Sequence, residues 1–205
     1  MKETWIKHPA VLNGNTIDLI PLQKEHLNEL FLAASNEEIW ELTSVNYSAS
    51  ELFYASYSEA ISDRENGKVY PFIIFHKKAK KVIGSTRFLE IDQINKKLEI
   101  GVTWISKEFW GTIVNTECKY LLLRHCFETL NTNRVQFRVK DSNLRSRKAI
   151  EKIGAVLEGI FRKDKIEANG TARNTAFYSI IDTEWEAVKK GIIHQIEQKM
   201  NSEKP

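Results

Sequence analysis

The chain reads as an α/β protein built on a mixed sheet, and three observations predict this. Segments with apolar residues at every second position alternate with segments where they recur every three or four, in the order β-α-α-β-β-β-α-β-α-β-β. No internal repeat, low-complexity run or Pro/Gly-rich linker divides the 205 residues. The expectation is one domain over 1–205, with a core at about 15–190 and a terminal helix at 183–200. The apolar fraction of 42% suits a globular protein long enough to bury a core without staples.

Residues 16–22 form a short strand ending at Pro21, and 24–35 a helix with Leu27, Leu30 and Phe31 on one face. Ser48-Ala49-Ser50-Glu51 fits a capping box ahead of a helix carrying Phe53, Tyr57, Ala60 and Ile61, closed by Gly67. Residues 69–76 and 82–89 are β-rich and flank the polar turn 77–81, the pattern of a hairpin. A second turn, 92–96, leads into 98–104, where Leu98, Ile100 and Val102 face one way and Glu99, Gly101 and Thr103 the other. The long helix 114–130 follows, with Val114, Cys118, Leu121, Leu122, Cys126 and Leu130 as its apolar stripe. Val135, Phe137 and Val139 alternate as a strand, and 143–153 is a helix stopped by Gly154. Strands at 156–162 and 175–181 flank a turn at Asn169-Gly170. The tail is an amphipathic helix with Trp185, Val188 and Ile192 spaced for packing.

The net charge of +3 is too small for a general nucleic-acid binder. Residues 134–173 carry eleven Lys or Arg against five acids, so this stretch is +6 and the remainder −3. Such a local field suits a polyanionic ligand, or simply a solvated face. No run approaches the roughly 20 apolar residues that span a bilayer, and the first residues are too polar for a signal peptide. Cys118 and Cys126, eight apart on one helix, read as small buried hydrophobes in a reduced, cytoplasmic protein. The five histidines show no ligand spacing, so no metal is expected, and His125 reads as structural.

The chemically informative unit is the strand 98–104, the loop 105–113 and the long helix. A strand feeding a helix N-terminus aims unpaired backbone N–H groups and the positive end of the helix dipole at an anion. The run Leu98-Glu99-Ile100-Gly101-Val102-Thr103-Trp104-Ile105, with Phe109-Trp110-Gly111-Thr112 and Asn115-Thr116-Glu117-Cys118-Lys119, resembles the core of Gcn5-related N-acetyltransferases (GNAT) of the ribosomal-protein (RimJ/RimL) type. Two further runs agree, Asn143 to Ala155 and Glu158-Gly159-Ile160-Phe161-Arg162, followed by Asn169-Gly170 and Tyr178-Ser179-Ile180.

This resemblance implies the GNAT fold: a mostly antiparallel sheet whose central strand pair splays apart, flanked by helices. It implies acetyl-CoA as co-substrate and a primary amine as acceptor, either a protein N-terminal α-amine or a small-molecule amine. Attack would be direct, in a ternary complex; a homodimer is compatible with it. Pantetheine would pair with backbone at Trp104 and Ile105. Pyrophosphate would sit on the loop and helix start, at Trp110, Gly111, Thr112, Ile113, Val114, Asn115 and Thr116. Asn143 would hydrogen-bond the pantetheine arm, Ser146 would lie near the thioester sulfur, and Lys148 would meet nucleotide phosphates. Relatives often place a carboxylate at Glu99, which makes it the candidate general base. A surface carboxylate paired with a neighbouring strand is the alternative.

Two departures from the family pattern bear on activity. Ile113 stands where relatives have Gly, and a β-branched residue there is expected to crowd the phosphates. Ile150 stands where many relatives have a Tyr that protonates the leaving thiolate, which leaves Ser146 or water to do so. These departures motivate a second reading, an acyl-CoA-binding regulator or sensor without turnover. A third is an antibiotic- or polyamine-modifying enzyme on the same fold, because fold does not fix the acceptor. Trp5, Trp40, Tyr47, Tyr54 and Tyr57 are candidates either for an amine pocket or for packing.

Overall fold

The computed structural model describes residues 4–43, 45–167 and 169–202. Its elements are β1 (Leu12–Asn13), β2 (Ile17–Pro21), α1 (Leu27–Ala34), α2 (Ser50–Glu65), β3 (Tyr70–His76), β4 (Lys81–Asp92), β5 (Lys97–Ile105), α3 (Val114–Arg124), β6 (Arg134–Lys140), α4 (Leu144–Lys152), β7 (Val156–Ile166), β8 (Ala172–Ile181) and α5 (Trp185–Ser202). The strands form one sheet in the order β1-β2-β3-β4-β5-β6-β8-β7. Neighbours run antiparallel except β5 and β6, which are parallel and so need the α3 crossover between them.

The expected order holds, with differences that have physical causes. The capping box is not formed. The α2 N-cap is Ala49, with no side-chain bond, and the Ser48 hydroxyl donates to Asn46 Oδ1 at 2.7 Å instead. The long helix reaches Leu130, but its last turn widens so that the Leu130 N–H donates to the His125 carbonyl five residues back. The β7–β8 hairpin runs to Ile166 and Ala172, longer than its apolar pattern suggests, because the β7 residues from Phe161 to Ile166 are all exposed.

Apolar side chains pack in two clusters, one on each face of the sheet. Leu98, Ile100, Val114, Cys118, Leu122 and Phe137 belong to the cluster under α3 and α5. Leu30, Phe53, Tyr57, Ile73 and Trp104 belong to the cluster under α1 and α2.

Strand β5 contributes to both clusters because its alternation breaks. Leu98 and Ile100 obey the expected pattern, but Val102 does not: it has φ +47° and is exposed. Its register against β4 slips between Ser85 and Arg87. A positive φ is costly for a β-branched residue, and such strain persists only where the surrounding structure imposes it. The bulge turns Trp104 to the face opposite Leu98. There it packs at a tilt, 5.3 Å from Trp40 between ring centres, and donates its indole N–H to Tyr57 Oη at 2.6 Å. Gly84 of β4 admits the Trp104 carbonyl; a methyl at Gly84 would sit 2.2 Å from that oxygen.

Ahead of the bulge β5 and β6 part. Their pairing covers Lys97–Arg134, Leu98–Val135 and Glu99–Gln136 and stops there. The second half of each strand borders a gap in the middle of the sheet.

Candidate active site

A cavity of about 520 Å³ lies at that gap, lined both by Asn115 and Lys119 of α3 and by Trp40 and Tyr47. Glu99, Trp104, Asn115, Asn143 and Ser146 all line it. The other expected contacts lie outside its lining. Ile105 is buried, and its carbonyl accepts the Trp110 indole N–H at 2.7 Å. Val114 and Thr116 are buried in α3, and Lys148 is exposed on α4. Arg145, also on α4, reaches the loop instead: its guanidinium lies 4.2 Å from the centre of the Trp110 ring.

The loop before α3 has the form of an anion cradle. Gly111 has φ +76°, open space around it and an exposed surface. Among the described residues the backbone N–H groups of Gly111, Thr112 and Ile113 donate to no protein acceptor. Their carbonyl side is held from α5, where Lys199 Nζ donates to Gly111 O at 2.8 Å and to Thr112 O at 2.7 Å. The Thr112 hydroxyl donates to Phe109 O at 2.7 Å.

Ile113 corrects an expectation. Its φ is −65°, ordinary helical backbone, and its side chain is 4% exposed. It packs inward rather than toward the loop's open side, so glycine's freedom is not needed there. Ile113→Gly is therefore expected to lose at least about 2 kcal/mol of stability, from the void left behind and the freer unfolded chain. It is also expected to weaken acetyl-CoA binding. Urea unfolding and calorimetric titration check this; tighter binding by the glycine variant would restore the crowding idea.

Glu99 is no surface carboxylate. It is 4% exposed, on the α1/α2 face of β5. Arg138 Nε of β6 pairs with its Oε2, and Gln136 donates to the same oxygen at 3.3 Å. Burial pushes its carboxyl above the usual value of 4.5, and the Arg138 guanidinium opposes that shift. A buried carboxylate whose pKa burial raises, facing a cavity, is placed to accept a proton from an amine.

Asn143 is the α4 N-cap. Its Oδ1 accepts the Ser146 N–H at 3.0 Å, and its Nδ2 donates to Leu42 O at 3.0 Å. Its amide thus ties α4 to Leu42, and the second Nδ2 proton stays open on a side chain that lines the cavity. Trp40 and Tyr47 also wall the cavity, whereas Tyr57 is fully buried behind them. His125 stacks on Phe88 at 6.0 Å.

Lys119 is the residue that sequence reading missed. It is 8% exposed on α3, lines the cavity, and donates from Nζ to Thr103 Oγ1 at 2.8 Å. Thr103 in turn bonds Thr86 Oγ1 at 2.8 Å, and the ammonium lies 5.6 Å from the Phe137 ring centre. Among the described residues no carboxylate forms an ion pair with Lys119. Burial pulls its pKa from 10.5 down to about 8. On the helix Lys119 follows Asn115, which lines the cavity, by four and precedes Leu123, which is buried, by four. That spacing is the one signal that it belongs to the buried face.

Among the described residues no helix is long and apolar enough to cross a membrane, and no group of three His, Cys, Asp or Glu side chains could hold a metal ion.

Residues 17–156 match the Acetyltransferase (GNAT) domain family. YdaF of Bacillus subtilis (strain 168), provisionally named a ribosomal N-acetyltransferase, is 39% identical over 99 residues, 48% of this chain. The match spans 53% of YdaF, about half its length. A GCN5-related N-acetyltransferase from Brucella melitensis superposes with a TM-score of 0.84 at 26% identity, covering 93% of this chain and 86% of that one. RimL, a ribosomal L7/L12 alpha-N-protein acetyltransferase solved with coenzyme A, shares the fold at a TM-score of 0.74 and 21% identity. That superposition covers 84% of this chain and 99% of RimL.

Proposed function

Since this chain belongs to the GNAT acetyltransferase family, we propose that it is an acetyl-CoA-dependent N-acetyltransferase acting by direct attack within a ternary complex. We further propose that the acceptor amine is carried by a neutral or acidic molecule, such as a peptide N-terminus. The observation that carries this reading is the cavity at the split in the sheet. One mouth lies toward the N-termini of α3 and α4, beside the loop that offers unpaired N–H groups to a pyrophosphate. The other lies toward Glu99, Trp40 and Tyr47. The two substrates then meet from opposite faces.

When bound, acetyl-CoA supplies an electrophilic acetyl carbon joined to a thiol leaving group. Glu99, directly or through water, takes the proton of the attacking amine. An α-amine with a pKa of about 7.7–8.0 needs less help than a lysine side chain at about 10.4. Backbone N–H groups freed where β5 leaves β6 are available to the carbonyl oxygen as charge develops on it.

The acceptor mouth argues about the amine's carrier. Arg138, Lys140, Lys165 and Arg173 stand at that side of the cavity. Glu99, Glu90 and Glu167 offset only part of their charge. A polycation such as a polyamine or aminoglycoside would meet a positive field there. The buried, free Cys118 and Cys126 suit a reducing cytoplasm.

Acetyl-CoA at 100 times its dissociation constant is expected to stabilise the protein by about 2.7 kcal/mol. Thiol release is expected with acidic peptide N-termini and to be weak with polyamines. An unshifted melting temperature at saturating acetyl-CoA would overturn the enzyme reading. Faster turnover of polyamines than of peptides would overturn the acceptor reading alone.

A further inference from the structure

We propose that Lys119 receives the sulfur that leaves the thioester, holding the departing CoA thiolate with its ε-ammonium and passing it a proton. This rests on the acetyl-CoA reading above. The two faces of the split sheet separate the roles. Glu99, on the α1/α2 face, attends the incoming amine. The sulfur must then lie toward the opposite face, where the cavity wall is Asn115, Lys119, Phe137, Ser146, Ala149 and Ile150. Among these only Lys119 carries a titratable proton; Ile150 and Ala149 carry none, and a serine hydroxyl is far too weak an acid. Lys119 is also the only cation on that wall, and its ammonium spends one N–H on Thr103.

The groups facing it leave the ammonium unneutralised. Cys118, beside it on α3, is a buried thiol pushed up to about 12 and therefore neutral. Glu99 acts on it only across the gap and is engaged by Arg138. Thr103 and Thr86 do not titrate. An ammonium so placed, with a pKa near 8, matches an alkyl thiol at about 8.5, so proton transfer between them is close to balanced.

The step balances. The amine nitrogen bonds the acetyl carbon, the C–S bond breaks with its electron pair on sulfur, and Lys119 Nζ supplies the proton that makes the free thiol. The surplus proton of the amine goes to Glu99. Lys119 is left neutral and Glu99 protonated, and one proton exchanged through solvent in the cavity restores both.

The test uses CoA itself and needs no acceptor. The ultraviolet absorbance of the thiolate is followed against pH for CoA bound to the native protein and to Lys119→Met, with calorimetry at pH 7 for affinity and a melting curve for folding. In the native protein the bound thiol is expected to ionise about one pKa unit, tenfold in the equilibrium, below free CoA. In the folded Lys119→Met variant, still binding CoA, it is expected to ionise at or above the free value. Equal titration of the two complexes would overturn the assignment to Lys119 and leave the acetyl-CoA reading standing. Absence of CoA binding to the native protein would overturn both.

Discussion

Lys119→Met is expected to make the protein more stable at pH 7, by about 3 kcal/mol at most. The lysine is buried, without an ionic partner, and its folded pKa of about 8 lies well below its ordinary 10.5. The folded state therefore binds the Lys119 proton less tightly than the unfolded chain does. The penalty is present in full below about pH 8. It disappears as pH rises toward 10.5, where the unfolded chain also loses the proton. Methionine keeps most of the length and volume, and Thr103 retains its bond to Thr86. Denaturant unfolding of both proteins between pH 7 and 10.5 checks the claim. A loss of stability on substitution, or a gain that does not shrink with pH, would show that the cation is better compensated than its surroundings indicate. A residue that costs stability while lining a catalytic cavity is what a stability–activity trade-off looks like.

Glu99→Gln is expected to slow turnover by about 10²–10⁴-fold, the usual cost of a lost general base, while leaving acetyl-CoA affinity nearly unchanged. Glutamine preserves shape and can still meet Gln136, so the effect isolates the proton acceptor. The sign of the pH dependence follows from burial. The Glu99 carboxyl titrates above its usual 4.5, so the native rate should fall as pH drops through that raised value. The acidic limb should be absent in the variant. Rates measured over pH 5–8 with an acceptor found by thiol release decide it. A full-rate glutamine variant with the same acidic limb would move the role to water or to another side chain.

What the residue pattern revealed, and what it hid, follows the kind of information each feature needs. Periodicity alone located α3, the β3–β4 hairpin and the terminal helix, because each buries a stripe that local spacing records. The Val102 bulge was hidden because it is imposed by strands on both sides: Trp104 must reach the cluster under α1 and α2 while Leu98 and Ile100 stay in the other. The capping box at Ser48 failed because the helix starts one residue later than the pattern suggests, with Ala49, which has no side-chain oxygen, as its N-cap. Glu99 could be singled out by its place on the strand, but Arg138, its partner, comes from the next strand in space, 39 residues further along the chain. Lys119 was hidden for a related reason. Beside Cys118 it looks like the wet edge of an amphipathic helix, yet α3 is wrapped by the sheet and α5, and its buried side takes in Glu117 and Lys119 as well.

The contact from Lys199 to the carbonyls of Gly111 and Thr112 gives the chain an order of assembly. The split sheet and α3 are complete within residues 12–181, all of which leave the ribosome ahead of the last helix. The gap between β5 and β6 can therefore form first, and the loop that faces an incoming anion adds the two Lys199 bonds, when α5 docks, to those Trp110 and Thr112 make within it. Until the eighteen-residue α5 docks, the slot stands without the two bonds that Lys199 supplies.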